Sequence, residues 1–338
     1  MKNWFIMLCV FVIAGLLLSA CASPAPAPTT APAAAATSAP AATSAPVTMK
    51  KLVVGISPPA DSEFYQLIKK GVTECSDGKV DILWQTPTSH QAVEEQQKII
   101  EAWVNQKVDA IAVTTVGDVS AMDDLFKNGT EAGIKMYFMN MAQFQLDPVN
   151  KAHFVSSVGY NNYKAANILG QWVVKNLGNT GKIAVLLGTP GVHATDRLKG
   201  FQDALTGTAW QIVVTQQADW VRDKGQSVAE TILQANPDIT LIYGQNDEMA
   251  LGAFQAVKDR GMADKVKVVG LDGVKAALES IKAGELTATM NVVPKQMGCQ
   301  LIKDIISVAG GGSVPQFHDI DVHVTDKTTV DVDMNAFK

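Results

Sequence analysis

Short apolar runs rich in β-branched residues alternate with longer amphipathic segments along most of this chain of 338 residues. We predict strands in two consecutive sets, at 51–57, 80–84, 110–114, 136–139 and 153–157, and then at 182–188, 211–215, 240–244, 266–272 and 286–291. Their nearly continuous apolar character is typical of parallel strands that are buried on both faces of a sheet. The alternation therefore predicts an α/β protein with two Rossmann-like lobes, each built on a doubly wound parallel sheet.

The two strand sets also predict the domain organisation. We assign an N-terminal lobe to 49–158, completed by about 292–314, and a C-terminal lobe to 159–291, completed by about 315–338. The chain then passes between the lobes near 158–162, 291–295 and 314–325. Such passages form a multi-crossing hinge, about which two lobes can close on a small molecule.

The N-terminal 20 residues have the pattern of a secretory signal, with a basic start followed by an apolar run. The run ends in LSAC, which resembles the bacterial lipobox, in which the cysteine becomes the lipidated first residue. We therefore expect a lipoprotein signal peptide at 1–20 and lipidation at Cys21. A simple transmembrane anchor is the alternative, because the apolar run is nearly long enough to span a bilayer.

The next segment is a tether. Residues 22–46 contain only Ala, Ser, Pro and Thr, so they have no bulky apolar side chain whose burial would offset the entropy of ordering. Prolines favour an extended chain of about 3 Å per residue. We interpret 21–48 as the lipidated cysteine and a linker that holds the globular part on the extracytoplasmic face of a membrane.

The charge of the chain argues against one class of partner. The net charge is −5, and no basic patch indicates binding to nucleic acid.

Two cysteines remain beyond Cys9 in the signal and Cys21, namely Cys75 and Cys299. A disulfide is permitted outside the cytoplasm, but both fall on helical patterns, and we interpret them as buried thiols, with the disulfide as the alternative.

Polar side chains follow several predicted strands at their carboxyl ends. Asn140, Asn246 and Asp272 stand at such positions. Ligands of open α/β sheets bind in the crevice beyond the carboxyl ends of the strands. We therefore predict that these three side chains face a cleft between the lobes.

Aromatic and cationic residues accompany them in the same strand-to-helix connections. Phe64 and Tyr65 follow the first strand, whereas Arg197 and Trp220 belong to the second lobe. Aromatic rings stack on the C–H faces of sugar rings, and amides, carboxylates and guanidinium groups pair with hydroxyls. This combination favours a hydroxyl-rich ligand.

Several motifs carry a resemblance to a known family: SEFYQLIKKG, ATDRLKGF, QADWVRDKG, GQNDEMALGA and VVGLDG. They resemble the ribose-binding branch of the periplasmic sugar-binding proteins of ABC importers, over about 52–312. The resemblance implies that the chain captures a small sugar and delivers it to an ABC permease in the membrane. It also implies that Phe64 and Tyr65 stack against the ligand opposite Trp220, and that Arg197, Asn246 and Asp272 bind hydroxyls; those six residues and Asn140 are our predicted ligand-binding set.

Two departures from the family pattern bear on the ligand. Ribose binders of this branch usually have an Asp-Arg pair where this chain has Asn140-Met141, and a hydroxyl-binding Gln where it has Val292. A site that loses hydrogen-bonding groups discriminates against the original ligand. We expect a less hydroxylated ligand than ribose, such as a deoxy sugar, a short polyol or a furanone, with its less polar edge against Met141, Phe64 and Tyr65.

Each predicted contact has a structural alternative. Adjacent helical residues do not share a face, so Phe64 or Tyr65 could point into the core. Arg197 could form a surface ion pair with Asp196 or Asp203, and Trp220 could pack at the rim of the cleft.

Nearby acidic residues have structural interpretations. We interpret Asp247 and Glu248 as charges that complement a helix dipole rather than as ligand contacts. Ser227 and Glu230 have the spacing of a capping box.

We expect no catalytic activity, cofactor or metal. The chain has neither a Walker sequence nor a G-x-G-x-x-G fingerprint. His318 and His323 fall in a terminal strand pattern, and their spacing places them on opposite faces of a strand.

The function we favour is that of a monomeric, lipid-anchored solute-binding protein. A sensory receptor of the same fold, signalling to a kinase or chemoreceptor, is the first alternative, and a hydrolase is the second. A DNA-binding regulator with a sugar-binding core is opposed by the signal sequence and by the lack of an N-terminal helix-turn-helix.

Overall fold

The computed structural model describes residues 50–141, 146 and 151–337. The expected signal peptide at 1–20, the lipidation site Cys21 and the linker at 21–48 lie outside these residues. Within the described ranges, no helix combines the length and the apolar character that a membrane crossing requires.

The strands alternate with helices along the chain. In chain order the strands are β1 Leu52–Ser57, β2 Val80–Trp84, β3 Ala110–Val113, β4 Lys135–Met139, β5 Ser156–Gly159, β6 Thr180–Leu187, β7 Ala209–Gln217, β8 Leu241–Gly244, β9 Lys267–Asp272, β10 Ala288–Asn291, β11 Phe317–Asp319 and β12 His323–Asp326. The helices are α1 Glu63–Cys75, α2 Val93–Gln106, α3 Asp123–Glu131, α4 Asn162–Leu177, α5 Val192–Ala204, α6 Arg222–Ala235, α7 Asp247–Asp259, α8 Lys275–Ala283, α9 Pro294–Ala309 and α10 Val330–Met334.

The strands form two sheets, one in each lobe. Within the described residues each sheet has six strands, in the orders β11-β5-β4-β3-β1-β2 and β12-β10-β9-β8-β6-β7. Neighbouring strands run parallel, apart from the antiparallel pair of β10 and β12. All residues of the central strands β3 and β8 are buried, as expected for strands covered by helices on both faces. The predicted α/β architecture of two doubly wound lobes is confirmed.

One predicted strand is displaced along the chain. The strand that we expected at 153–157 begins later, as β5 at Ser156–Gly159. It begins later because Lys151–His153 form a short 3₁₀ turn just before it. The remaining predicted strands lie at or close to the expected residues.

The chain passes between the lobes at the ends of three strands. β5 belongs to the first sheet, and α4, which follows it, packs on α5 of the second lobe through a hydrogen bond of 3.0 Å from Asn167 to the carbonyl oxygen of Gly200. β10 belongs to the second sheet, and α9, which follows it, packs on α1. The last passage lies between β11 and β12, which pair in different sheets.

The C-terminal boundary differs from the expected one. Sequence analysis assigns about 315–338 to the C-terminal lobe, but Phe317–Asp319 pairs with β5 at the edge of the first sheet. The first lobe therefore extends to residue 319. For the same reason His318 and His323 belong to two strands in two sheets, and not to a single terminal strand.

Cys75 and Cys299 form a disulfide, with their Cα atoms 5.2 Å apart, so the interpretation as buried thiols is wrong. The bond joins α1 to α9, whose backbones approach closely because both helices present a glycine at the contact. A Cβ atom on Gly71 would collide with the carbonyl oxygen of Lys295, and one on Gly298 would collide with that of Ile68. Close backbone packing brings the two cysteines within bonding distance.

The expected capping box is also wrong. α6 begins at Arg222, so Ser227 and Glu230 lie inside the helix. The Ser227 hydroxyl donates a hydrogen bond to the carbonyl oxygen of Lys224, within the same helix.

Candidate functional site

A cavity lies between the two lobes, at the carboxyl ends of their strands. Its volume is about 90 Å³. On the same scale a single buried water requires roughly 10–15 Å³, so the cavity can hold a molecule several times larger than water. Every residue of the predicted ligand-binding set lines it: Phe64, Tyr65 and Asn140 from the first lobe, and Arg197, Trp220, Asn246 and Asp272 from the second. The structure thus brings together residues that are far apart in the sequence.

Phe64 and Tyr65 line the cavity together. They lie in the first turn of α1, where the helix begins at the cleft, and both are buried. Their rings pack edge to face with centroids 5.0 Å apart. The alternative that one of the pair points away from the cavity does not hold.

Asn140 presents an unpaired acceptor. It directly follows β4 with a positive φ of 59°, a conformation that asparagine adopts more readily than most residues. Its Nδ2 lies 3.4 Å from the hydroxyl of Tyr65. In the described part of the chain its buried Oδ1 has no hydrogen-bond partner. Because an unpaired buried acceptor is costly, this atom is suited to accept a hydrogen bond from a ligand.

Arg197 is buried and held by neutral groups around it. Its Nε donates to Asn162 Oδ1 at 2.8 Å and its Nη2 donates to the hydroxyl of Tyr160 at 2.5 Å, while Nη1 donates to the carbonyl oxygen of Gln245. Asp203, one of the two alternative partners, instead accepts hydrogen bonds from the side chains of Lys199 and Tyr163. The guanidinium group is therefore fixed at the cavity and not at the surface.

Asp272 supplies the anionic group of the cavity. One of its carboxylate oxygens lies 3.8 Å from Nη1 of Arg197, and the residue is buried at the end of β9 with a φ of 147°. Burial raises the pKa of Asp272 well above its ordinary value, although the positive charge of Arg197 lowers it. Because this carboxylate is poorly solvated, a hydrogen bond that a ligand hydroxyl donates to it would stabilise its ionised form.

Trp220 and Asn246 support each other. The Trp220 ring lies 5.1 Å from the guanidinium carbon of Arg197, and its Nε1 donates to Thr189 Oγ1 at 2.7 Å. Asn246 caps α7, with Oδ1 accepting from the Met249 amide at 2.9 Å, and its Nδ2 donates to the Trp220 carbonyl oxygen at 3.1 Å. Asn246 thus lines the cavity while its amide already holds the helix start and the Trp220 backbone.

Residues 53–313 match the periplasmic binding protein domain family. The chain belongs to this family. It is 34% identical over 178 residues to the ribose import binding protein of Salmonella typhimurium, an alignment that covers 52% of this chain and 60% of that protein's length. It is 30% identical over 252 residues to the ribose import binding protein of Bacillus subtilis, with coverage of 74% and 79%.

A solved structure shows the same fold. It is a periplasmic solute-binding protein of an ABC transporter from Actinobacillus succinogenes 130z with bound D-allose, which matches with a TM-score of 0.77 and 27% identity. The match covers 83% of this chain and 100% of the chain in the solved structure. The resemblance to sugar-binding proteins of ABC importers is confirmed.

Met141 does not meet the expectation placed on it. In this periplasmic binding protein it is buried and packs in the core of the first lobe, rather than among the residues that line the cavity. β5 runs directly beside it, where Ser157 donates to its carbonyl oxygen at 2.7 Å. The expected contact of a ligand with Met141 is therefore wrong. Val292 is likewise buried in the core and not in the cavity lining.

Asp247 has a more specific role than the one predicted for it. It is the first residue of α7, as a dipole charge should be, but it is fully buried. Its Oδ2 accepts from the amides of Gly273 and Val274 at 2.7 and 3.0 Å, and its Oδ1 accepts from Thr289 Oγ1 at 2.6 Å. Asp247 therefore holds the loop that follows Asp272.

Two histidines that sequence analysis passed over also line the cavity. His193 comes from the second lobe, and its Nε2 lies 3.0 Å from the carbonyl oxygen of Asn140 in the first lobe. Burial, helped by the charge of Arg197, lowers the pKa of His193 to about 4. The helical spacing of His193 and Arg197 on α5 is a signal in the sequence that would have placed both at the cavity.

His90 faces the cavity from the first lobe. Burial lowers its pKa to about 4, against the opposing effect of Asp219. It precedes α2 in a connection without a distinctive motif, so no sequence signal marked it.

Proposed function

We propose that this periplasmic binding protein captures a small carbohydrate-like ligand in the cavity between its lobes and delivers it to an ABC permease. The observation that carries the proposal is the pair of acceptors at the cavity, Asn140 Oδ1 from one lobe and the Asp272 carboxylate from the other. A ligand with hydroxyl groups supplies donors to both at once. Aromatic rings at the same cavity, Phe64 and Trp220, match the apolar faces of a sugar or cyclic polyol.

The relatives support this ligand class. Those compared above are import binding proteins for ribose or hold D-allose. The chain replaces the acidic and basic pair of ribose binders by Asn140 and by Met141, which is turned into the core. An amide makes weaker hydrogen bonds than an ionised pair. We therefore propose a ligand that is less hydroxylated than ribose, with ribose binding at least about ten-fold more weakly than the true ligand, a difference of about 1.4 kcal/mol.

The cellular setting belongs to the same proposal. Residues 1–20 act as a lipoprotein signal peptide, and Cys21 is acylated and anchors the protein to the extracytoplasmic face of the membrane. The linker at 21–48 joins this anchor to the lobes. The protein acts as a monomer and releases its ligand unchanged, without catalysis.

Ligand identification tests the proposal. Mass spectrometry of the molecule released from the purified, denatured protein should reveal a sugar, polyol or related compound. A thermal-shift screen with D-ribose, D-allose, 2-deoxy-D-ribose, D-fucose, myo-inositol and glycerol provides the matched comparison. A ligand at 100 times its dissociation constant should add about 2.7 kcal/mol to the free energy of unfolding.

The outcomes separate the ligand class from the ligand identity. Stabilisation by a deoxy sugar or polyol beyond that by ribose supports both parts. If ribose binds tightest, the argument from Asn140 is wrong but the solute-binding proposal stands. Release of a peptide, a nucleotide or a chemically altered ligand would contradict the proposal itself.

A further inference from the structure

Outside the cavity lining, one side chain reaches from the first lobe to the backbone of the second. Glu63, the first residue of α1, accepts a hydrogen bond from the amide of Ala276, in the first turn of α8. The amide nitrogen lies 3.3 Å from Oε1 and 3.4 Å from Oε2. α1 follows β1 of the first sheet, whereas α8 lies between β9 and β10 of the second, so the contact exists only when the lobes meet.

The start of α8 lacks a side-chain cap from its own lobe. Its N-cap residue is Val274, which has no side chain able to accept a hydrogen bond. The amides just before the helix, those of Gly273 and Val274, are taken by Asp247. The first amides of a helix have no partner within the helix. Glu63 of the other lobe supplies the acceptor that α8 lacks.

The contact joins the two segments that carry candidate ligand contacts. Glu63 directly precedes Phe64 and Tyr65, and Ala276 lies shortly after Asp272 on the same loop-to-helix connection. A hydrogen bond here sets the separation between the aromatic pair and the carboxylate. That separation is the width of the cavity that a ligand must fill.

The surroundings of Glu63 also belong to the second lobe. Arg222 and Glu248, which form an ion pair with a distance of 2.8 Å, are its charged neighbours. Burial raises the pKa of Glu63, with a further rise from Glu248, while the Ala276 amide and Arg222 lower it. The carboxyl group is thus half-buried at this contact, and what the Ala276 amide requires from it is an acceptor oxygen.

We propose that Glu63 is a positioning residue for ligand binding, which stabilises the closed arrangement of the lobes by capping α8 across the cleft. Both partners of the contact are protein groups and neither depends on a ligand atom, so the contact favours the closed form in the ligand-free protein as well. A larger closed population raises the apparent affinity for a ligand that binds the closed form. The functional part of this inference rests on the proposed solute-binding function.

The test measures closure without any ligand. Spin labels carried by unnatural amino acids at the exposed positions Asp124 in α3 and Asp259 in α7 report the distance between the lobes and leave the disulfide intact. The double electron–electron resonance distribution is recorded for the wild type, Glu63→Ala and Glu63→Gln. Glu74→Ala is the matched control, because Glu74 lies on the same helix but pairs with Lys295 inside the first lobe.

We expect the ratio of closed to open forms to fall roughly two- to ten-fold in Glu63→Ala, as for the loss of a helix cap. Glu63→Gln keeps an acceptor oxygen and should retain the wild-type ratio, and Glu74→Ala should do the same. Hydrogen–deuterium exchange gives an independent measurement. Of the three variants, only Glu63→Ala should exchange the amide hydrogen of Ala276 faster than the wild type does.

Identical distance distributions in the wild type and Glu63→Ala, whether open or closed, would overturn the proposal. Equal effects of Glu63→Ala and Glu74→Ala would overturn it as well, since they would indicate a general loss of helix stability. Neither result bears on whether a sugar binds, so failure here is distinct from failure of the proposed function.

Discussion

At the scale of single residues, the cavity is lined by backbone conformations that side chains other than glycine seldom adopt. Asn140, Trp220 and Asp272 all have positive φ, at 59°, 68° and 147°. Each such residue costs on the order of 1–3 kcal/mol, which the surrounding structure must offset. Trp220 is held by Thr189 and Asn246, and Asp272 is followed by the loop that Asp247 fixes. The strain aims polar and aromatic side chains into the cavity.

Asp272→Asn should weaken ligand binding without weakening the fold. The change replaces one of the two acceptor oxygens by an NH2 donor, and loss of one partner in a buried polar pair costs about 1–3 kcal/mol, or roughly ten- to a hundred-fold in affinity. Burial raises the pKa of Asp272, so the ionised carboxylate destabilises the ligand-free fold, and the neutral amide should keep or raise the free energy of unfolding. Calorimetry with the tightest-binding sugar of the screen, together with urea unfolding, measures both. Unchanged affinity with an intact fold would show that Asp272 does not contact the ligand.

At the scale of elements, the disulfide between α1 and α9 ties together helices that are distant in sequence. Its cysteines are separated by 224 positions. α1 begins with Phe64 and Tyr65 near the cavity, and α9 begins directly after the passage of the chain from the second lobe. The bond therefore ties the helix that follows this passage to α1 within the first lobe.

Removal of the disulfide by Cys75→Ser with Cys299→Ser should lower the free energy of unfolding by about 2–4 kcal/mol, mainly because the unfolded chain gains freedom. Urea unfolding at neutral pH measures the loss. Reductant should reproduce it in the wild type and have no effect on the double variant. Ligand affinity should stay within about two-fold, since neither cysteine lines the cavity. A double variant as stable as the wild type would contradict this role.

The sequence predicts elements better than it predicts contacts between distant elements. Apolar runs such as the one at β8 predict buried parallel strands because their burial on two faces leaves a local pattern. The disulfide was missed because the packing of α1 on α9 depends on glycines in helices far apart in the chain. Met141 was misplaced because the side chain after a strand can point to the core or to the cleft, which one sequence does not decide. His90 was missed because its connection has no pattern.

At the scale of the whole molecule, the closed lobes bury ionisable groups that an open cleft would expose to water. His90 has a pKa of about 4 in the closed form, against about 6.5 for a solvated histidine. Because the pKa is depressed on closing, the closed form is favoured fully above about pH 6.5 and loses this advantage as the pH falls towards 4.

Ligand affinity should therefore weaken on acidification through His90, by at most about ten-fold for each pH unit in that window. The measurement is the affinity for the tightest-binding sugar of the screen at pH 7, 6 and 5, in the wild type and in His90→Gln. The comparison isolates this ring from His193, whose pKa burial also lowers, and from Asp272 and Glu63, whose pKa values burial raises and whose pH dependence has the opposite sign. Parallel pH profiles for the two proteins would show that His90 stays solvated in the bound form.

The central claim is that one small hydroxylated molecule bridges the two lobes in this cavity. A crystal structure of the protein with its co-purifying ligand, or with the tightest-binding sugar of the screen, tests it directly. The account predicts ligand hydroxyls within hydrogen-bond distance of both Asn140 Oδ1 and the Asp272 carboxylate, with the ligand ring between Phe64 and Trp220. A ligand bound elsewhere, or one in the cavity that leaves both acceptors unpaired, would contradict it.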